Sequence, residues 1–312
     1  MKHLHIQTPL IESLHISNNP NAHIWLKMEA LQPCGSFKAR GMGYACQQYV
    51  QKGAQALVTS SGGNAGLAVA YSGRRLNIPV TVVVPITTKK RAIDLIKSEG
   101  ANVIVTGENW DAAHSYATAL SQKEGAAYIH PFDDPLTWTG HASMIDEISE
   151  TGITPDAIIL SVGGGGLLCG VVEGLQRNNL KKVPILAVET KGADAYAVAA
   201  LANKHVGIDH ITSIATSLGA KKVAQQAFEL RNEHPIISHV VTDKDAVLAC
   251  DRFLEDHRIM VEPACGASLS AVYNNCEFLN NKQNIIVIVC GGVGVTLAQL
   301  AEWRQYVSTH QH

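Results

Sequence analysis

The chain has 312 residues, 46% apolar and 17% charged, with 25 Lys and Arg against 27 Asp and Glu and a formal charge of −2. That length buries a sizeable core and favours two compact lobes over one. The balanced charge excludes a whole-chain attraction to nucleic acid or an anionic membrane, and runs such as 80–85 and 285–290 are too short to span a bilayer.

Residues 1–10 lack the apolar centre of a signal peptide, so the expectation is a soluble, cytoplasmic protein. Next comes Gln32-Pro33-Cys34-Gly35-Ser36-Phe37-Lys38-Ala39-Arg40-Gly41. A lone lysine is ordinarily a solvated charge. Lys38 instead follows a Pro/Gly turn, a hydroxyl and an aromatic ring, and a lysine shielded in a pocket can attack an aldehyde. A strand at 56–59 leads into Ser60-Ser61-Gly62-Gly63-Asn64-Ala65-Gly66 and a helix over 64–76. Taken alone, that turn is an ordinary helix cap. Strands at 80–85 and 102–106 alternate with helices at 91–99 and 110–123.

A strand at 157–162 then runs into Gly163, Gly164, Gly165 and Gly166, followed by a helix over 167–176. Four glycines before a helix start let main-chain N–H groups converge on an anion, which suits a phosphate. A dinucleotide fingerprint fails in both registers, because Leu168 or Cys169 stands where its last glycine belongs. Beyond lie a strand at 185–189, helices at 223–230 and 243–255, a strand at 285–290 and a final helix near 298–306, with no regulatory domain expected after it. The strands lack polar alternation, as parallel strands covered on both faces should. The order is therefore β-α-β-α. The expected domains are a small one at 41–135 and a large, discontinuous one at 1–40 plus 136–312. Seven cysteines are scattered with no Cys-x-x-Cys pair, which reads as reduced, buried thiols. His3-x-His5 and His310-x-His312 sit at the termini without a His-Glu-x-x-His, so no transition-metal site is expected. His130 and His141 read as structural.

Together, the lysine segment, the asparagine loop and the tetraglycine loop resemble the fold-type II pyridoxal-phosphate enzymes. Within them the chain is most similar to the liver-type catabolic L-serine dehydratase/L-threonine deaminase family. The likeness runs on through Pro131-Phe132-Asp133-Asp134-Pro135, Gly140-His141-Ala142-Ser143 and Glu262-Pro263-Ala264-Cys265-Gly266-Ala267. It implies a two-lobed α/β fold like the tryptophan synthase β chain, with twisted parallel sheets flanked by helices, and a homodimer.

By this resemblance Lys38 bonds covalently to the cofactor aldehyde and Phe37 packs on its ring. Asn64 meets the phenolic oxygen, and Gly163, Gly164, Gly165, Gly166 and Leu167 hold the phosphate. Ser61, Gly62, Asn64 and Ala65 bind the substrate carboxylate, and Cys290 faces the pyridine nitrogen. A monovalent cation, expected to be K⁺, would be held by Glu189 with the carbonyls of Gly163, Ala193, Leu218 and Ala220. A buried Glu189 that merely caps a helix is the competing reading.

The implied reaction is dehydration and deamination of a small amino-acid substrate, serine to pyruvate and threonine to 2-oxobutanoate, each with ammonia. A neutral thiol at Cys290 is a weak partner for the ring nitrogen and makes the ring a modest electron sink. Relatives that racemise serine carry serine where this chain has Gly62. The alternatives are a serine racemase, a β-replacing synthase, another β-eliminating enzyme or a non-catalytic binding protein. Gly62 and Cys290 weigh against the first two.

Overall fold

A computed structural model describes residues 2–16 and 22–309. His310 and His312 lie outside the described residues. In chain order the elements are β1 (Leu10–Ser13), β2 (His23–Lys27), α1 (Lys38–Gln51), β3 (Leu57–Thr59), α2 (Asn64–Leu76), β4 (Val80–Val84), α3 (Lys90–Ser98), β5 (Asn102–Val105), α4 (Trp110–Glu124), β6 (Ala127–Tyr128) and α5 (Pro135–Glu150). There follow β7 (Ala157–Ser161), α6 (Gly166–Arg177), β8 (Ile185–Thr190), α7 (Ala195–Leu201), α8 (Gln225–Glu229), β9 (Ile236–Val241), α9 (Asp243–His257), α10 (Pro263–Tyr273), β10 (Asn284–Ile288) and α11 (Leu297–Thr309).

The chain divides into two compact units, Met1–Ile6 with Gln32–His141, and Gln7–Leu31 with Ala142–His312. Residues 1–6, 32–40 and 136–141 fall within the first unit, whereas a large domain of 1–40 plus 136–312 would take them into the second.

The first unit is built on a parallel sheet in the order β5-β4-β3-β6. All of β3 is buried, as is most of β4. Their near-continuous apolar sequences are those of strands covered on both faces. Ala113 and Ala117 of α4 press on Val58 of β3 and Val83 of β4, their small side chains letting helix and sheet approach closely.

The second unit has a six-stranded sheet in the order β1-β2-β10-β7-β8-β9. Every residue of β7, β8 and α10 is buried, and α10 packs against α9, β7 and β8. The strands read from the sequence pair in parallel, and β1, which has no sequence signal of its own, pairs antiparallel with β2. Residues 14–22 are too short a connection for a crossover helix, so the two strands turn back on each other.

Each sheet has a point where strand order reverses. In the first unit β3, β4 and β5 proceed one way and β6 lies on the other side of β3; in the second, β8 and β9 lie to one side of β7 and β10 to the other. Such reversals open a crevice at the carboxyl ends of the flanking strands, where ligands of α/β sheets bind. Among the described residues, no helix is long and apolar enough to cross a membrane.

Candidate active site

At the reversal in the first unit, two loops and one helix start meet. Gly35, with φ +73°, turns the chain after its N–H bonds Gln32 O at 2.7 Å, and α1 begins at Lys38. Lys38 Nζ donates to the carbonyl of Pro131, just beyond β6, at 2.6 Å, and lies 5.1 Å from the Phe37 ring centroid. That ring leans on His141, with centroids 4.8 Å apart. Burial, reinforced by the Lys38 and Arg40 charges, holds His141 well below the usual imidazole range. His130 is pushed down to about 4 by burial, then by His114 and Lys38. Its Nδ1 accepts from Phe132 N at 3.3 Å and Asp133 N at 2.8 Å, as an unprotonated ring nitrogen must. The charge of Lys38 thus faces neutral imidazoles.

Ser60 ends the run begun by β3, and α2 starts at Asn64, capped by Gly63. The 61–65 loop therefore presents a helix start with no acidic residue in its first turn, a setting that favours a carboxylate. Ser61 Oγ accepts from Gly63 N at 3.3 Å. At Gly62 an added Cβ would come within 2.7 Å of Thr88 Cγ2 and 3.3 Å of Val84 Cγ1, so any side chain there requires Thr88 to move.

At the reversal in the second unit, β7 runs into Gly163 and α6 begins at Gly166. Gly165 is the N-cap, with φ +89°, a conformation that favours glycine. A Cβ there would also meet Ala227 Cβ at 2.4 Å. Gly164 O accepts from Ala224 N at 2.9 Å, which braces the outer side of the loop. The first-turn N–H groups of α6, Leu167 among them, have no intrahelical acceptor, and no acidic residue sits in that turn. A phosphate fits this cradle. Cys290 follows β10 at 6% exposure. Its hydrogen bond with Cys265, and then burial, keep the thiol well above its ordinary pKa and so neutral.

The Glu189 carboxylate, fully buried, accepts from Tyr196 N at 2.8 Å and Ala197 N at 2.7 Å at the start of α7. Burial raises it to about 8 against the pull of those two N–H groups. Leu218 O accepts from Ala220 N at 2.7 Å, and a Cβ on Gly163 would approach Leu218 Cα at 3.1 Å. Among the described residues, no group of three or more His, Cys, Asp or Glu is placed to hold a metal ion.

The sequence motifs thus fall at the two strand-order reversals. Pro131 lies in a motif legible in the sequence, but its carbonyl as the acceptor for Lys38 is not, because a backbone carbonyl leaves no side-chain signal. The cluster of Trp110, His114, Tyr128 and His130 behind it was also missed.

The family model described as pyridoxal-phosphate dependent enzyme matches residues 1–291. The chain is 48% identical over 307 residues to the human protein named L-serine dehydratase/L-threonine deaminase, covering 95% of this chain and 94% of that one. The crystal structure of an L-serine ammonia-lyase from Rhizomucor miehei superposes with a TM-score of 0.91 at 36% identity, covering 97% of this chain and 99% of that one. The processed threonine deaminase isoform 2 of Solanum lycopersicum follows at 0.89 and 26%, covering 98% and 85%. The chain belongs to the pyridoxal-phosphate dependent enzymes of fold type II.

Proposed function

We propose that this chain dehydrates and deaminates L-serine to pyruvate and ammonia, and L-threonine to 2-oxobutanoate and ammonia. The observation that carries this reading is Lys38, the first residue of α1, with its Nζ held by Pro131 O where the first sheet reverses. Its relatives' names supply the substrates.

Pyridoxal phosphate, when bound, supplies an aldehyde for the amine and a conjugated ring that takes up the electrons left at Cα. Lys38 would hold that aldehyde covalently, and its amine, once set free by the substrate amine, would take the α-proton. The β-hydroxyl leaves as water, and a second water releases ammonia and the keto acid, so the reaction needs no external oxidant or reductant. Phe37 would pack on the ring and Asn64 would donate to the phenolic oxygen. Gly163, Gly164, Gly165, Gly166 and Leu167 would hold its phosphate through their N–H groups. Ser61, Gly62, Asn64 and Ala65 bind the substrate carboxylate. A neutral Cys290 thiol would be a weak partner for the ring nitrogen and would make the ring a modest electron sink. With no side chain, Gly62 would offer no acid or base there, which weighs against racemisation.

Glu189, with the carbonyls of Gly163, Ala193, Leu218 and Ala220, is our candidate set for K⁺, its oxygens being of the kind hard cations take. A cytoplasmic homodimer completes the proposal.

The test is keto acid formation from L-serine, L-threonine and D-serine with added cofactor and potassium, with chiral analysis for D-serine. Pyruvate from L-serine without D-serine is expected, and Lys38→Ala abolishes both turnover and the cofactor's lysine-linked absorption. Turnover that survives in the Lys38→Ala protein would overturn the role of Lys38. A yellow protein that yields no keto acid overturns the activity.

A further inference from the structure

Behind the 61–65 loop, three side chains from three elements of the first unit form one hydrogen-bonded line. Ser60 Oγ lies 2.6 Å from Tyr128 OH, and Tyr128 OH lies 2.6 Å from His114 Nδ1. Ser60 is fully buried at the carboxyl end of β3, one residue before the loop. Tyr128 ends β6 and His114 sits in α4. The segment beyond β6 carries Pro131, the acceptor for Lys38. One short stretch of chain therefore touches the lysine with its backbone and the base of the loop with a phenol.

We propose that Tyr128 and His114 are positioning residues for the substrate loop, holding it through Ser60, and that His114 is the end of the line that responds to pH. The inference rests on the reading of the 61–65 loop as the carboxylate site.

A phenol has one proton, so the line has a direction. With His114 neutral and its proton on Nε2, Tyr128 donates to Nδ1 and accepts from Ser60. With His114 protonated, Nδ1–H donates to Tyr128, and Tyr128 must donate to Ser60. Ser60 then changes from donor to acceptor, and its own proton has to find a new partner at the base of the loop.

The surroundings favour a neutral His114. Trp110 stacks on the His114 ring at 4.9 Å, with planes 13° apart. The Tyr128 ring meets it edge-on at 5.3 Å and His130 at 5.4 Å. Burial lowers the His114 pKa against the pull of Asp111 on its own helix. His130 brings no charge of its own, since its Nδ1 already accepts two backbone N–H groups. Burial keeps Tyr128 a phenol, at about 12.

The experiment uses the holoenzyme and the variants Tyr128→Phe, His114→Phe and His114→Asn. The amide oxygen of Asn takes the place of Nδ1 as acceptor without titrating. Loss of one such hydrogen bond is expected to raise KM for L-serine about three- to tenfold in Tyr128→Phe and His114→Phe, with kcat changed less than about twofold. His114→Asn keeps the wild-type KM at neutral pH and loses the rise in KM on acidification. Wild-type KM in Tyr128→Phe overturns the proposal, and so does an acid limb that persists in His114→Asn. The ¹⁵N resonance of His114 Nδ1 reads the line independently of turnover and must move in Tyr128→Phe; an unmoved signal overturns it. If the wild type makes no keto acid, L-serine affinity is read from the cofactor absorption. Equal affinity in wild type and Tyr128→Phe refutes the positioning role, whereas missing keto acid alone refutes only the activity. A wild type that neither binds nor turns over L-serine refutes both.

Discussion

Gly165→Ala probes the glycine loop proposed to hold a phosphate, without relying on cofactor or activity. Gly165 caps α6 with φ +89°, and an added Cβ would lie 2.4 Å from Ala227 Cβ. Two costs are therefore expected. A left-handed conformation costs a non-glycine residue about 1–2 kcal/mol, and forcing a methyl into a filled contact costs about 1–3 kcal/mol more. Gly125, the C-cap of α4, separates the two. It has φ +64°, and nothing lies within 4 Å of its added Cβ, so Gly125→Ala incurs the first cost alone. At about 2–4 °C per kcal/mol, Gly165→Ala should melt roughly 5–15 °C below wild type and Gly125→Ala only a few degrees below. The assay is thermal denaturation at fixed cofactor and salt, with Gly165→Ala/Ala227→Gly as the relief variant. Equal losses in Gly165→Ala and Gly125→Ala, or no recovery in the double variant, would refute the idea that Ala227 braces the loop.

Burial sets the sign of two pH effects. The His130 pKa is lowered from 6.5 to about 4, so the unfolded chain binds that proton first. The stability it contributes is complete above about pH 6.5 and falls as pH drops, by about 2 kcal/mol at pH 5. His130→Asn, which keeps an acceptor for Phe132 N and Asp133 N, should lose less stability over that range in denaturant titrations. Glu189 runs the other way, because a carboxyl raised from 4.5 to about 8 costs stability as pH rises between those values. If Glu189 holds potassium, KCl should raise Tm over tetramethylammonium chloride more at pH 8 than at pH 5.5. Glu189→Gln should erase the difference, and an equal increment in Glu189→Gln counts against the site. Gly62→Ser should lose about 1–3 kcal/mol against Thr88, and Gly62→Ser/Thr88→Ala should recover most of it; additive losses would show that the two positions do not touch.

The elements legible in the sequence were those with a period or a punctuation mark. Residues 64–76 read as a helix, and α2 has those bounds; α4 begins at Trp110 as read and ends one residue past the expected 123. The helix read at 223–230 is shorter, Gln225–Glu229, and a 3-10 turn follows it. α1 left no signal, because Gly41 and Gly43 interrupt its first turns and its helix formers carry no clean apolar stripe. α10 is buried on every side, so it shows no amphipathic period to find. β6 is two residues long. At the site, glycine loops and a lysine after a turn can be read because they carry backbone and charge requirements locally. The partner of Lys38 is a carbonyl 93 residues away, and the line from Ser60 to His114 joins three elements by side-chain tips. Neither has a local pattern.

Strand order explains why those distant pieces meet. In the second unit Val287 pairs with Ile159, and continuing that register sets Cys290 level with Val162, immediately before Gly163. A ring anchored by its phosphate at the glycine loop would then find the thiol on the neighbouring strand end. In the first unit Val58 pairs with Tyr128, and the same continuation sets Ser60 level with His130. The loop that follows β3 and the carbonyl that follows β6 thus leave the sheet side by side. In both units the flanking strands belong to chain segments far apart in sequence, and the reversal of strand order leaves no crossover helix between their carboxyl ends. Substitutions that shift β6 or β10 along the sheet should therefore impair the site as severely as changes to the glycine and asparagine loops, although neither strand contains a residue proposed to touch substrate or cofactor.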